Sequence, residues 1–287
     1  MISKTLKQKI MFTILRLALL FPLGFLFWII GDIIVKGIWK FTEPGFLITT
    51  ASADYLSGGI LAAIIGSLYL IIFTIIFSLP IGVLGAIYLS EYAKENWLTR
   101  IIRRTLTTLA GVPSIVFGIF GYGLFALFLR LGVNIISASL TLALLVIPVI
   151  TTGSVEALKA VPKDYREAAL SLGASKWMAI KDHVIPNAIS GIATSSILGI
   201  SRALGETAPI LFMAIMWSNT IGGIFDKFVA LPVLVYQLLT QSTNTVLTLP
   251  VAYGAALTLL LLAVLINIFA IYLRIKHRRK LAMIRGS

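Results

Sequence analysis

Apolar blocks of membrane-spanning length set the pattern of this chain, and short polar segments separate them. A helix of about 20 mostly apolar residues crosses a bilayer. The first block runs from about Ile10 to Val35, after Lys4, Lys7 and Lys9. It is too long for the core of a signal peptide and no small-residue cleavage site follows it, so it is expected to stay as an anchor. The second lies between Asp54 and Glu91, free of charge, with an expected kink at Pro80. The third lies between Arg104 and Arg130, and the fourth between Arg130 and Glu156. The fifth reaches from about Pro186 to Trp217, and the sixth from about Leu249 to Leu273. The pattern predicts an all-α polytopic membrane protein with six transmembrane helices, residues 1–287 forming a single membrane-embedded domain.

One polar stretch is much longer than the others. Residues 156–188 read EALKAVPKDYREAALSLGASKWMAIKDHVIPNA. Pro162 breaks what precedes it, and Asp164 with Glu167 three residues later makes a capping-box-like helix start. Tyr165, Ala168, Ala169 and Leu172 then fall on one face at helical spacing. Gly173 stands where a helix stop wants glycine, and Ser175 can cap a second helix running toward Pro186. Adjacent alanines let another surface approach closely, while Lys163, Arg166, Lys176 and Lys181 supply polar rim contacts. The segment reads as a docking knob; the plainer alternative is an amphipathic hairpin without a partner.

Composition fits the pattern: 59% of residues are hydrophobic, 12% are charged and the mean hydropathy is +1.00, which excludes a soluble domain. With no cysteine, disulfides and thiolate metal sites are excluded. The two histidines, His183 and His277, lie far apart in basic segments. No phosphate-binding loop, metalloprotease helix or nucleophile elbow occurs, so no catalytic apparatus is visible. The net charge of +13 is unevenly placed. The N-terminal segment, the Lys94–Arg104 loop, residues 156–188 and the C-terminal tail carry most of it, whereas the opposite loops hold only Lys36, Lys40, Arg130 and Lys227. This bias predicts both termini and the 156–188 loop in the cytoplasm. The charge then faces lipid headgroups, and nucleic acid is not an expected partner. On the outer side the longest loop, 218–249, is expected to hold a short helix from Pro232 to Gln241, with Leu231, Leu234, Val235 and Leu238 on one face.

Arg202 lies inside span five, in SRALGETAP, with Glu206 one turn later. A charge at the centre of a spanning helix costs on the order of 3 kcal/mol on insertion scales, and such residues face a cavity or a partner. Two readings stand: a self-neutralised structural pair, or a guanidinium aimed at an anion with Glu206 orienting it. A planar guanidinium can grip a tetrahedral oxyanion through two parallel hydrogen bonds. In span three, Gly121-Tyr122-Gly123 matches a potassium-filter tripeptide; Ser114, Gly118 and Gly121 read better as a helix-packing face. A secondary anion transporter using Arg202 and Glu206 is the rival from another class, although no repeated halves are visible.

The 156–188 pattern resembles the EAA loop of ABC importer permeases, matched at Glu167, Ala168, Ala169, Gly173, Ile185 and Pro186, with His183 where an aliphatic residue is usual. The resemblance implies a type I importer permease fold and a loop that couples to an ATPase subunit. RALGETAP, PSIVFGIFG (Pro113 to Gly121) and ALPVLVYQLLTQ (Ala230 to Gln241) resemble phosphate-specific ABC importer permeases from Tyr55 onward. Ala208-Pro209 favours the A-type subunit over its C-type sister. That family implies a second permease in a heterodimer, a homodimeric ATPase inside and a phosphate-binding protein outside. It places Arg202 on the anion path; Glu206, Thr207 and Ser114 join it as candidate path residues. Cofactors are implied only for the partner: ATP and magnesium act on the ATPase, and none binds this chain.

Overall fold

The computed structural model describes residues 4–51, 58–214, 222–242 and 245–285, with the backbone alone for 277–285, Lys4 and Leu6. The expected start of span two at Asp54 and the expected end of span five at Trp217 fall outside these residues, as does part of loop 218–249. Helices dominate the described residues, with one isolated bridge between Ala51 and Gly58; five helices are long and apolar enough to cross a membrane, or six if the bent pair Trp97–Leu109 and Ser114–Phe128 counts as one span.

Helix α1 covers Lys4–Phe41, longer at both ends than the apolar block. Helix α2, Leu61–Ile87, runs through Pro80 and closes in a π-helical turn over Tyr88–Tyr92. Helix α3, Trp97–Leu109, begins at Asn96, whose side chain accepts the Thr99 backbone N–H at 2.9 Å. Its exposed face carries Trp97, Leu98, Ile101, Arg100 and Arg104. Helix α4, Ser114–Gly121, continues in a π-helical turn to Phe128 and meets α3 at 109°. Span three therefore differs from expectation: the block from Arg104 is not one helix. At 1.5 Å per residue the Ser114–Phe128 leg is roughly 22 Å long, short of a hydrocarbon core of about 30 Å. Gly111 and Pro113 supply the corner, because proline cannot continue the α3 hydrogen bonds.

Helix α5, Ile135–Lys159, is the central post, with Leu142, Val146, Ile150 and Leu158 fully buried against α2, α4 and the later helices. Asn134 caps its start by accepting from Ser137 at 2.9 Å. Helices α6, Asp164–Ser171, and α7, Lys176–Ala179, follow, and a π-helical turn at Ile180–Val184 leads into α8, Ile185–Gly205. Short α9, Leu231–Thr240, buries Leu231, Leu234 and Leu238 and has Pro232 in its first turn, as expected. Helix α10, Thr245–Arg285, returns through the bundle.

Contacts between these helices sort the charges to two ends. The start of α10 lies beside the end of α1, where Tyr253 accepts from Lys36 and donates to Asp32. Further along, α10 runs antiparallel to α8: Asn267 pairs with Ser201, and Arg274 donates to Thr194 at 2.8 Å. The start of α1, the end of α10, the α2 π turn and the 156–188 loop thus share one end of the bundle. Lys36, Lys40 and Lys227 sit at the other, the grouping that the charge bias predicts.

Gly118 and Gly121 are packing positions. A Cβ on Gly118 would lie 2.8 Å from the Pro209 carbonyl, and one on Gly121 would lie 2.0 Å from Thr141 Oγ1. With residues 114–128 helical, the carbonyls of Gly121-Tyr122-Gly123 are turned into the helix rather than toward ions, and the filter reading fails.

Candidate functional site

Two polar clusters interrupt the apolar bundle. The first is the 156–188 segment. Helix α5 ends at Lys159, before Pro162, and α6 begins at Asp164. The expected capping box is not formed: Lys163 occupies the cap position in a helical conformation and no side chain caps α6. Asp164 and Glu167 still place negative charge in the first turn, which the helix dipole favours. Gly173 stops the helix as expected, at φ +84°. Its N–H reaches Leu170 at 3.0 Å and the Ala174 N–H reaches Ala169 at 3.1 Å, the double bond of a Schellman stop. Ser175 caps the next helix by accepting from Met178 at 3.3 Å.

Of the predicted apolar face, Ala169 alone is buried. Tyr165 and Ala168 are exposed, and Leu172 is 89% exposed. Trp177 and Met178 extend this apolar surface. Exposed leucine and tryptophan beside lysines are costly to leave uncovered in water and suit a protein partner. Ile185 and Pro186 are half-buried at the start of α8, where the preceding π turn absorbs the missing proline N–H. His183 is exposed, and Asn187 donates to its carbonyl at 2.6 Å.

The segment is anchored by a residue that sequence reasoning assigned to the rim. Arg166 donates from Nε to Glu91 Oε2 at 3.0 Å and from Nη2 to Glu91 Oε1 at 2.7 Å. It also reaches the carbonyls of Leu158 at 2.9 Å, Val161 at 2.8 Å and Pro162 at 3.4 Å. Donation to the carboxylate raises the Arg166 guanidinium above its ordinary value, so the positive charge is secure. The sequence signal for this partner is an acid, Glu91, closing the otherwise uncharged block of span two.

The second cluster is in span five, and the structure corrects the expectation there. Helix α8 does not run on toward Trp217; it ends at Gly205, and Glu206 is extended. Arg202 therefore lies in the last turn of a helix rather than at the centre of one. Ala203 packs on Phe117, Leu145 and Val146, and the last two lie near the midpoint of α5, so the break sits at about half depth in the bundle. Ala208–Ile210 form a single 3₁₀ turn, and Ile210, Met213 and Ala214 plug the bundle beyond it. Irregular backbone at this depth is tolerated only within protein or along a wet cavity; Gly205 is exposed, and among the described residues nothing lies within 4 Å of a Cβ built on it.

The predicted pair is present: Arg202 Nε donates to Glu206 Oε1 at 3.1 Å, the side chains being 35% and 17% exposed. The cation in the last turn also offsets the negative end of the α8 dipole. With Nε engaged, the two Nη groups form the planar edge able to meet two oxygens of an anion. Thr207 is half-buried next to the pair. Ser114 is half-buried at the start of α4, but the contact joining α4 to this segment runs through Gly118 and Pro209 instead.

The family model of the binding-protein-dependent transport system inner membrane component matches residues 78–280. The phosphate transport system permease protein PstA of Pasteurella multocida is 34% identical over 270 residues, covering 93% of this chain and 94% of its own length. The PstA 1 protein of Mycobacterium tuberculosis is 32% identical, over 91% of this chain and 85% of its own. Among solved structures, a bacterial ABC transporter involved in the import of alginate aligns with TM-score 0.66 at 15% identity, over 95% of this chain and 99% of that one. A methionine ABC transporter, MetNI, aligns with TM-score 0.58 at 16% identity, over 76% and 94%. These two share the fold.

Proposed function

The chain belongs to the binding-protein-dependent transport system inner membrane components, and from that premise we propose that it is the A-type permease subunit of an ATP-driven phosphate importer. The observation carrying the substrate is its similarity, along nearly the whole length of both chains, to permeases named for phosphate transport. In this reading it is a multi-pass protein of the cell membrane and carries no catalysis of its own. A second permease completes a heterodimer, a homodimeric ATPase binds ATP and magnesium on the cytoplasmic side, and a phosphate-binding protein docks outside near Ala230 and α9.

Transport follows by alternating access. The exposed face of α6, with Glu167, Ala168 and Gly173, seats on the ATPase; Ala169 ties that face to the bundle, and Ile185 and Pro186 carry the movement into α8. Closure of the ATPase moves the loop, and α8 follows because it continues from the loop through one helical path. Phosphate passes the broken end of α8, where Arg202 meets two of its oxygens and Glu206 holds the guanidinium in place. Thr207, next to the pair, is a hydroxyl partner on the way, and Ser114 is a candidate further along it, at the start of α4. Nucleotide and binding protein shift the equilibrium only by preferring one of the two states.

The test is uptake of labelled phosphate by vesicles holding the complete complex. Uptake should require ATP and the binding protein, and a hundredfold excess of sulfate should leave it standing. Gradient-driven uptake by this chain alone would transfer the chemistry to a secondary transporter.

A further inference from the structure

The π-helical turn Tyr88–Tyr92 that ends α2 is gripped from both sides. From α3, Arg103 donates to the Leu89 carbonyl. From the α6–α7 loop, Arg166 takes both oxygens of Glu91, and the Lys176 ammonium lies 4.8 Å from the centre of the Tyr92 ring. Glu91 is almost fully buried, its side chain 6% exposed. Arg166 spends every donor it has: Nε on Glu91, Nη1 on Val161 and Pro162, Nη2 on Glu91 and Leu158. One side chain thus closes the end of α5, holds α6 and grips α2. Because α6 buries only Ala169, apolar packing alone gives it a weak hold on the bundle.

We infer that Glu91 and Arg166 are positioning residues for coupling, forming the joint that makes α2 move with the loop seated on the ATPase. The inference rests on the docking role proposed for that loop. A bidentate pair resists rotation as well as separation, so displacement of α6 is delivered to α2 as a rigid movement. Without the pair, α6 still joins α8 through α7, but α2 and the α3–α4 corner lag behind. The ATPase then turns over without opening the path in step.

The experiment uses the complete importer in vesicles and measures phosphate imported and ATP hydrolysed together. Glu91→Gln and Arg166→Gln should each assemble with the ATPase and raise the ATP consumed per phosphate about tenfold, the scale of one lost charge-assisted hydrogen bond. The double variant should be no worse than either single one, because each residue acts through the other. Arg166→Lys should recover only part of the ratio, since an ammonium cannot span both oxygens and three carbonyls. An unchanged ratio, multiplied effects in the double variant or loss of assembly would overturn the inference. A second readout does not depend on the transported ion. Spin labels at Leu84 on α2 and Lys163 before α6 should keep one separation with and without ATP in the unaltered complex, and change it in Glu91→Gln. A changing separation in the unaltered complex sinks the joint; failure of phosphate uptake alone, with the separation constant, sinks only the substrate assignment.

Discussion

The α6–α7 loop and the break after α8 both interrupt apolar blocks, yet they hold their charges in opposite ways. The loop presents apolar side chains to water, Leu172 and Trp177 among them, and keeps its arginine inside, with all donors of Arg166 engaged. The break presents a half-exposed arginine in the bundle, restrained by one carboxylate, and buries the apolar residues beyond it. An arginine with every donor satisfied is a structural fastener. Arg202, by contrast, is engaged among the described residues by Glu206 alone, beside the exposed Gly205. In this bundle, the hydrogen-bonding capacity left on each arginine distinguishes the loop from the break more clearly than charge does.

The largest expected effect breaks the loop side of this contrast. Gly173→Val forces a β-branched residue into φ +84°, a left-handed conformation costing at least 1–2 kcal/mol for side chains, and removes the Schellman stop. Transport should be abolished while the chain still inserts and purifies. Normal co-purification with the ATPase and normal uptake would remove the docking assignment.

The next effect breaks the other side. Arg202→Lys keeps the charge and loses the planar fork, and Arg202→Gln loses both. Each should lower phosphate uptake by roughly 10- to 100-fold, the value of one charge-assisted hydrogen bond of about 1.5–3 kcal/mol. Full rescue by lysine would return Arg202 to the role of dipole partner and ion-pair half.

A smaller effect sharpens the contrast within α6. Leu172→Ser removes an exposed side chain and should leave the thermal midpoint of the detergent-solubilised chain unmoved. Its cost should fall on ATPase binding, at about 10-fold in Kd from roughly 1.5 kcal/mol of lost burial. Ala169→Leu at the buried neighbour should do the reverse, destabilising the fold by overpacking, of order 1–3 kcal/mol. A midpoint lowered by Leu172→Ser would mean that the chain itself covers this face. The last prediction concerns sidedness: a cysteine at Lys176 should label only from the cytoplasm. Labelling from outside intact cells would overturn the orientation.

The loop was legible in the sequence because its instructions are local. Gly173, Ser175 and Pro162 act on neighbours within a few residues, and each acts as expected. Asp164 misled because an acidic residue suits both the cap and the first turn, and backbone geometry chooses between them. The break was half legible. Gly205 and Pro209 were visible, but hydropathy averaged across them and suggested one continuous span. The corner between α3 and α4 was hidden for the same reason, since Arg103 and Arg104 look like a loop edge until α3 is seen to continue past them. The Glu91–Arg166 joint could not be read at all, because it links residues 75 positions apart and no local rule names its partner.

The central claim is that the charged pair at the end of α8 handles the transported anion rather than merely neutralising itself. Its most direct test is phosphate uptake by the Arg202→Gln/Glu206→Gln double variant in the complete complex, with assembly and ATPase activity measured alongside. Removing both charges together leaves no lone buried charge to disturb folding. The complex should assemble normally, hydrolyse ATP and import less than about a tenth of the normal phosphate. Near-normal uptake by that double variant would contradict the claim.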